Sequence, residues 1–249
     1  MTDVQTDLEG VVKLPLAERL GPLVALGRRL LAEGANGSAA SVVPLLVEVV
    51  ESGEGERSER LEVGEILGML GDPRLRTPDE RDYWVEVDVG EGAPIQIARF
   101  PVTNAEFFQF ADGGGYTDRS LWSEEGWAWL QGKPNPWPAH AHLESARSLV
   151  VPNQPVVGVT FFEAEAYANS VGARLPRADE RIAVVRGSEK RPYPWGAPFG
   201  EGNANTQEEV LGRPCAVGLY VRDRTPEGVS DLAGNVAEWT GDRVGDEYL

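Results

Sequence analysis

Cysteine is almost missing from this chain: Cys215 is the only one in 249 residues, which excludes an intrachain disulfide framework and any Cys-x-x-Cys zinc site. Histidine occurs only as His140 and His142, and lysine only as Lys13, Lys133 and Lys190. Basic residues are outnumbered, 23 Lys plus Arg against 40 Asp plus Glu, leaving a formal net charge of −17. Such a balance repels a phosphate backbone and an anionic membrane surface. No local basic patch relieves it, so nucleic acid is not expected as a partner. Long apolar runs are missing too. None approaches the roughly 20 residues of a membrane span, and the polar, acidic stretch from Met1 to Gly10 lacks the basic-then-apolar order of a secretory signal. A cytoplasmic protein without a membrane span is the expectation.

What is present suffices for folding: a 41% hydrophobic share with 8% aromatics buries real cores, and the length allows one or two domains. Leu16, Leu20, Leu23, Leu30 and Leu31 recur at three- and four-residue steps and stop at Glu33-Gly34, one amphipathic helix. Val42, Leu46, Val49 and Val50 share a second face, and Val63, Ile66, Leu67 and Leu70 a third, closed by Gly71 and Pro73. These three short helices make a helical, repeat-like unit over residues 1–80. The pattern then changes to alternation in Trp84-Val-Glu-Val-Asp-Val89 and in Ile95-Gln-Ile97, two strands that open a second domain over residues 81–249.

Two helices in that domain are announced by one device. Thr103-Asn-Ala-Glu106 and Thr160-Phe-Phe-Glu163 both match the Thr-x-x-Glu capping box, in which the threonine oxygen accepts from the third helical amide and the glutamate reaches back. Between them the long stretch from Gly113 to Pro155 carries Trp122, Trp127, Trp129 and Trp137, which either pack it down or offer a ligand-binding face.

From Ile97 onward a series of words appears in order: Phe100-Pro-Val-Thr-Asn-Ala-Glu-Phe107, Pro155-Val-Val-Gly-Val159, Arg174-Leu-Pro-Arg-Ala-Asp-Glu180, Tyr193-Pro-Trp-Gly196, Asn203-Ala-Asn205 and Gly234-Asn-Val-Ala-Glu-Trp-Thr240. This ordered set resembles the formylglycine-generating-enzyme (sulfatase-modifying factor) superfamily over roughly the last 150 residues. The resemblance implies an α+β, C-type-lectin-like fold of that type, preceded here by the small all-α unit. Fold alone does not deliver function.

Relatives of this kind, as the resemblance implies, oxidise substrates with copper held by two cysteine thiolates, or with iron in a histidine-rich site of an additional helical domain. One cysteine cannot make the first, and Cys215 falls in a strand-entry word where a small apolar residue is expected. His140 and His142 are too few for the second. The resemblance also carries over structural calcium, with hard oxygen ligands. One site would take the side chains of Asn205 and Glu209 with carbonyls of Thr206 and Leu211. The other would take the Glu238 side chain with carbonyls of Gly234 and Val236; the alternative is that Asn205 and Glu238 only cap turns. Arg177 stands where the family has a capping threonine and Arg181 where it has a tryptophan. Arg186 and Arg191 read as solvated surface. The family pattern continues beyond Gly-Asn-x-x-Glu-Trp, whereas this sequence stops at Tyr248-Leu249, so a partner or a further segment is expected to complete the sheet.

The resulting expectation is a non-catalytic protein that binds a protein or other macromolecular ligand on a C-type-lectin-like scaffold, like the variable proteins of diversity-generating retroelements. Three alternatives stay open. One is a formylglycine-generating oxidase cut before its catalytic cysteines, another a sensor or adaptor of a bacterial conflict system, and the third a protein whose helical unit is the working, docking part.

Overall fold

The structure, a computed structural model, describes residues 4–34, 36–90, 92–133, 144–244 and 247–248. The chain opens with four helices, α1 (Val4–Val12), α2 (Leu20–Glu33), α3 (Asn36–Ser52) and α4 (Arg57–Leu70). Helix α1 is one more than the periodicity predicts, because among its described residues the polar N-terminal stretch buries only Leu8 and Val11. The expected first helix begins instead as a 3-10 turn, Leu16–Glu18, before α2. Gly34 ends α2 as anticipated, in the left-handed conformation at φ 61°, its N–H bonded to the carbonyls of Leu30 and Leu31. The predicted apolar faces meet in one core in which Leu20, Leu23, Leu46, Val49, Ile66 and Leu67 are almost wholly buried.

Helix α4 is the seam between this unit and the rest of the chain. A Cβ on Gly68 would lie 2.2 Å from Asn153 Oδ1 and one on Gly64 2.9 Å from the Ala216 side chain, so only glycine permits this approach. The apolar cluster of the helices runs on into Cys215, Leu219 and Tyr220. Asn153 Nδ2 donates to the Gly64 carbonyl at 3.0 Å and to Asp72 at 2.9 Å, and Asp72 is paired with Arg74 at 2.6 Å.

Strands β1 (Trp84–Val87) and β2 (Ile95–Ala98) pair antiparallel with Val85 opposite Ile97. Val85 and Val87 turn inward onto Val184, Val229 and Leu232. Four further helices follow, α5 (Asn104–Phe110), α6 (Glu124–Gln131), α7 (Phe161–Ser170) and α8 (Ala178–Arg186), and a last hairpin pairs β3 (Arg243–Val244) with β4 (Glu247–Tyr248). Both capping boxes form as predicted, at Thr103 with Glu106 and at Thr160 with Glu163. The architecture is α+β, helix-rich with small antiparallel sheets.

One edge is left open. Arg99 N donates to Tyr83 O, which places the 83/99, 85/97 and 87/95 pairs in the hydrogen-bonded class and turns the main-chain groups of Gln96 and Ala98 away from β1. Among the described residues nothing bonds to them. No described helix is long and apolar enough to cross a membrane.

Candidate functional site

A groove of about 520 Å³ runs along the free edge of β2, between it, α7 and the segment 229–239. Tyr83, Trp84, Phe100, Tyr167 and Trp239 line it with Glu238 at one side. Two elements position its tyrosines. Tyr83 precedes β1, and Tyr167 lies on the inner face of α7, whose start is fixed by the Thr160 cap. Their hydroxyls converge on one carboxylate: Glu106 Oε1 accepts from Tyr83 at 2.9 Å and from Tyr167 at 3.2 Å, while its Oε2 accepts from the Thr103 N–H at 2.9 Å. The capping glutamate read from the sequence is therefore also the anchor of the groove wall. Burial, then the nearby Glu106 charge, holds both phenols well above their usual range, so they stay protonated. Glu180, on the groove rim, is pulled down to about 2, first by its hydrogen bonds from Arg174.

Behind the groove lies a second polar centre. Asp231 accepts from Gly218 N at 2.9 Å and from Asn235 Nδ2 at 3.3 Å, and Asp223 accepts from Ala233 N at 2.9 Å. Both are 1% exposed. Burial pushes Asp231 up to about 7, aided by Asp223, and Asp223 up to about 6. Neither aspartate bears a signal that composition or spacing reveals.

The tryptophans singled out in the sequence belong to a different cluster. Trp122 is buried and donates Nε1–H to Gly115 O at 2.8 Å, Trp129 stacks on it with ring centroids 6.3 Å apart, and Arg119 sits over the Trp127 ring at 5.6 Å. None of these three lines the groove. Trp137, His140 and His142 lie outside the described residues.

The residues assigned to calcium come close together but are committed elsewhere, and the calcium expectation is corrected on that ground. Glu209, 3% exposed, is paired with Arg57 at 2.9 Å and accepts from the Tyr220 hydroxyl at 3.3 Å. Glu238 is ion-paired with Arg181. Asn205 turns its amide nitrogen to Arg213 O at 3.0 Å and Asn235 Oδ1 at 3.2 Å. The Thr206 carbonyl accepts from Glu209 N, the Gly234 carbonyl from Val236 N, and Leu211 packs against the helical core. Each supposed site holds one carboxylate, which an arginine already pairs with, whereas calcium takes about six to eight oxygen ligands. Among the described residues no three His, Cys, Asp or Glu side chains gather around a common point. Arg181, where the resemblance implies a tryptophan, pairs with Glu238 and donates to the Leu232 carbonyl. Arg191, expected on the surface, is 7% exposed and faces Glu227 at 3.4 Å; Arg186 is exposed as expected.

Among the described residues the metals implied by the resemblance find no fit either. Cys215 is enclosed, with Sγ 3.5 Å from Asn235 Oδ1, and burial raises its thiol well above the usual value, so it is neither a thiolate nor one of a pair.

The sulfatase-modifying factor enzyme 1-like domain model matches residues 68–249. Hercynine oxygenase of Mycolicibacterium thermoresistibile is 37% identical over 188 residues, 70% of this chain and 41% of that protein. Its counterpart in Mycobacterium tuberculosis is 38% identical over 159 residues, 59% of this chain and 37% of the other. The formylglycine-generating enzyme of Thermomonospora curvata is 29% identical over 188 residues, 60% of each chain. The chain therefore spans less than half the length of the hercynine oxygenases it matches. These names overturn the expectation of a non-catalytic binding protein akin to retroelement variable proteins, and with it the reading of the chain as no enzyme. The missing cysteine pair counts against one way of holding copper; it does not count against oxidative chemistry as such, and that is where the expectation went astray.

Proposed function

The chain belongs to the sulfatase-modifying factor enzyme 1-like family, and from that premise we propose that it is the substrate-holding domain of an oxygen-dependent oxidative enzyme. The observation that carries this is the groove along β2, walled by Tyr83, Trp84, Phe100, Tyr167 and Trp239. Aromatic faces attract a cation, and apolar walls keep water from it. A quaternary-ammonium amino acid such as hercynine suits that chemistry and the chain's net charge of −17. Tyr83 and Tyr167, fixed by Glu106, hold the wall rigid and leave their phenolic oxygens as acceptors. In this reading the redox centre is completed by further polypeptide, the chain spanning 41% of the hercynine oxygenase it matches.

Calorimetric titration of hercynine into the protein tests this reading. Saturable heat that Tyr167→Ala weakens is expected, and no heat with hercynine overturns the assignment of the groove. Oxygen uptake with hercynine and a thiol, once polypeptide bearing the metal ligands is supplied, tests the chemistry itself.

A second reading is favoured by the unpaired main-chain groups of Gln96 and Ala98. An extended segment of a protein partner or substrate would add to β2 as a third strand and lie in the same groove. Competition separates the two: a peptide that pairs with β2 displaces hercynine only if both use this groove.

A further inference from the structure

The aromatic residues between the groove and the tryptophan cluster form one continuous series. Trp84 and Tyr83 meet edge to face with ring centroids 4.8 Å apart. Tyr83 and Tyr167 share Glu106 Oε1. Phe110 bridges Tyr167 at 5.8 Å and Tyr116 at 5.9 Å, Tyr116 lies 5.7 Å from Trp122, and Trp122 stacks on half-exposed Trp129 at 6.3 Å. A core needs rings to pack, but it does not need each phenol in the series to face a carboxylate. Here all three do. Tyr83 and Tyr167 donate to Glu106, and buried Tyr116 donates to Glu163 Oε1 at 2.7 Å.

From this arrangement we infer that the series is an electron-hole conduit that drains an oxidising equivalent from the groove to the surface at Trp129. A tyrosine loses an electron at neutral pH only as its proton leaves, and a carboxylate at hydrogen-bond distance is a ready acceptor for that proton. The steps balance as follows. An oxygen-derived one-electron oxidant in the groove takes an electron from Trp84 or Tyr83, and the Tyr83 proton passes to Glu106. Tyr167 then gives an electron to Tyr83, which recovers its proton from Glu106 as the Tyr167 proton takes its place there; Tyr116 refills Tyr167, which recovers that proton in turn, and the Tyr116 Oη proton passes to Glu163 and returns when Trp122 gives up its electron. Trp129 refills Trp122. Lys133 lies 5.3 Å over the Trp129 ring and disfavours a positive charge there, so Trp129 sheds its indole proton to water and is reduced by an external thiol. The conduit rests on the oxidative reading for its purpose: it spares the domain when an oxidant is formed without productive turnover.

The test does not need turnover. Gln96 is exposed on the groove rim and Cys215 is buried, so Gln96→Cys takes a thiol-reactive ruthenium photo-oxidant selectively. After a flash with an electron-acceptor quencher, transient absorption follows the oxidised aromatic beside the label. In the intact series this signal decays quickly and a second indole radical grows in. Tyr116→Phe, which keeps the ring and removes the proton, and Trp122→Phe are each expected to lengthen the first signal and abolish the second. Trp195→Phe, outside the series, is expected to change neither. Decay that is the same in all variants, or no second radical in the intact chain, overturns the conduit even if the protein consumes oxygen. Migration without any hercynine binding overturns the substrate reading and leaves the conduit standing.

Discussion

The helical unit and the loop-rich segment 215–235 close their cores in opposite ways, although they share one apolar cluster at Cys215, Leu219 and Tyr220. The helices bury leucine, valine and isoleucine with their backbone bonds satisfied internally. The segment 215–235 has no strand or helix of its own, and the amides of Cys215, Gly218 and Ala233 are met by the side chains of Asn235, Asp231 and Asp223. Regular structure lets a core be apolar, whereas irregular backbone must import acceptors and then bears the cost of burying their charge. The two regions should therefore answer differently to truncation, crowding and pH.

Leu67→Ala offers the largest break in that comparison. Leu67 is fully buried in the last turn of α4, and such truncations cost about 2–5 kcal/mol with no dependence on pH. Every tryptophan lies beyond residue 80, so tryptophan fluorescence reports the second region while far-ultraviolet dichroism weighs the helices. Both signals are expected to fall together in one transition, because the apolar cluster is continuous. A shift of the dichroism alone would show the two regions unfolding separately. Gly68→Ala probes the seam at smaller scale: its Cβ would sit 2.2 Å from Asn153 Oδ1, so overpacking of about 1–3 kcal/mol is expected in thermal or urea unfolding.

Asp231 sharpens the contrast through pH. Its carboxyl is raised from 3.8 to about 7 by burial, so its contribution to stability is fully present below the unfolded value and is lost as pH rises through the folded one. Between pH 4 and 7 the wild-type midpoint should fall from this cause. Asp231→Asn keeps an acceptor for Gly218 N–H without the charge, and is expected to flatten that slope and raise the unfolding free energy at pH 8 by an amount on the order of 1 kcal/mol. An unchanged slope would place the titration elsewhere.

How much of this was legible in the sequence depends on the range of the forces involved. Leu20, Leu46 and Leu67 announce their burial by spacing, and Thr103 and Thr160 announce their helices, because periodicity and caps act within a few residues. Ordered motif words gave the fold of the second region. The groove was not legible: Tyr83, Glu106 and Tyr167 are joined by hydrogen bonds spanning 23 and 61 positions, and the capping box that marks Glu106 says nothing of either tyrosine. The same distance hides the arginines. Nothing near Glu209 or Glu238 says that Arg57 and Arg181 will neutralise them, and the calcium expectation failed for that reason. Arg191 read as surface because its partner Glu227 is 36 residues away.

The smallest effect is expected where a family residue is missing. Arg177 stands at the N-cap of α8 in place of threonine, and filling an empty cap typically gains about 1 kcal/mol. This cap is not empty. Glu180 accepts from the Arg177 N–H at 2.8 Å, and Asp242, reaching across from beyond the 229–239 segment, accepts from the Ala178 N–H at 2.6 Å. Two of the helix's free amides are thus already met by carboxylates, whose charge also suits the positive end of the helix dipole. Arg177→Thr is therefore expected to leave the unfolding midpoint unchanged within error, while Arg177→Thr in an Asp242→Ala background should restore part of what that substitution removes. A full cap's gain from Arg177→Thr alone would mean that Asp242 does not hold the Ala178 amide at the start of α8 in solution.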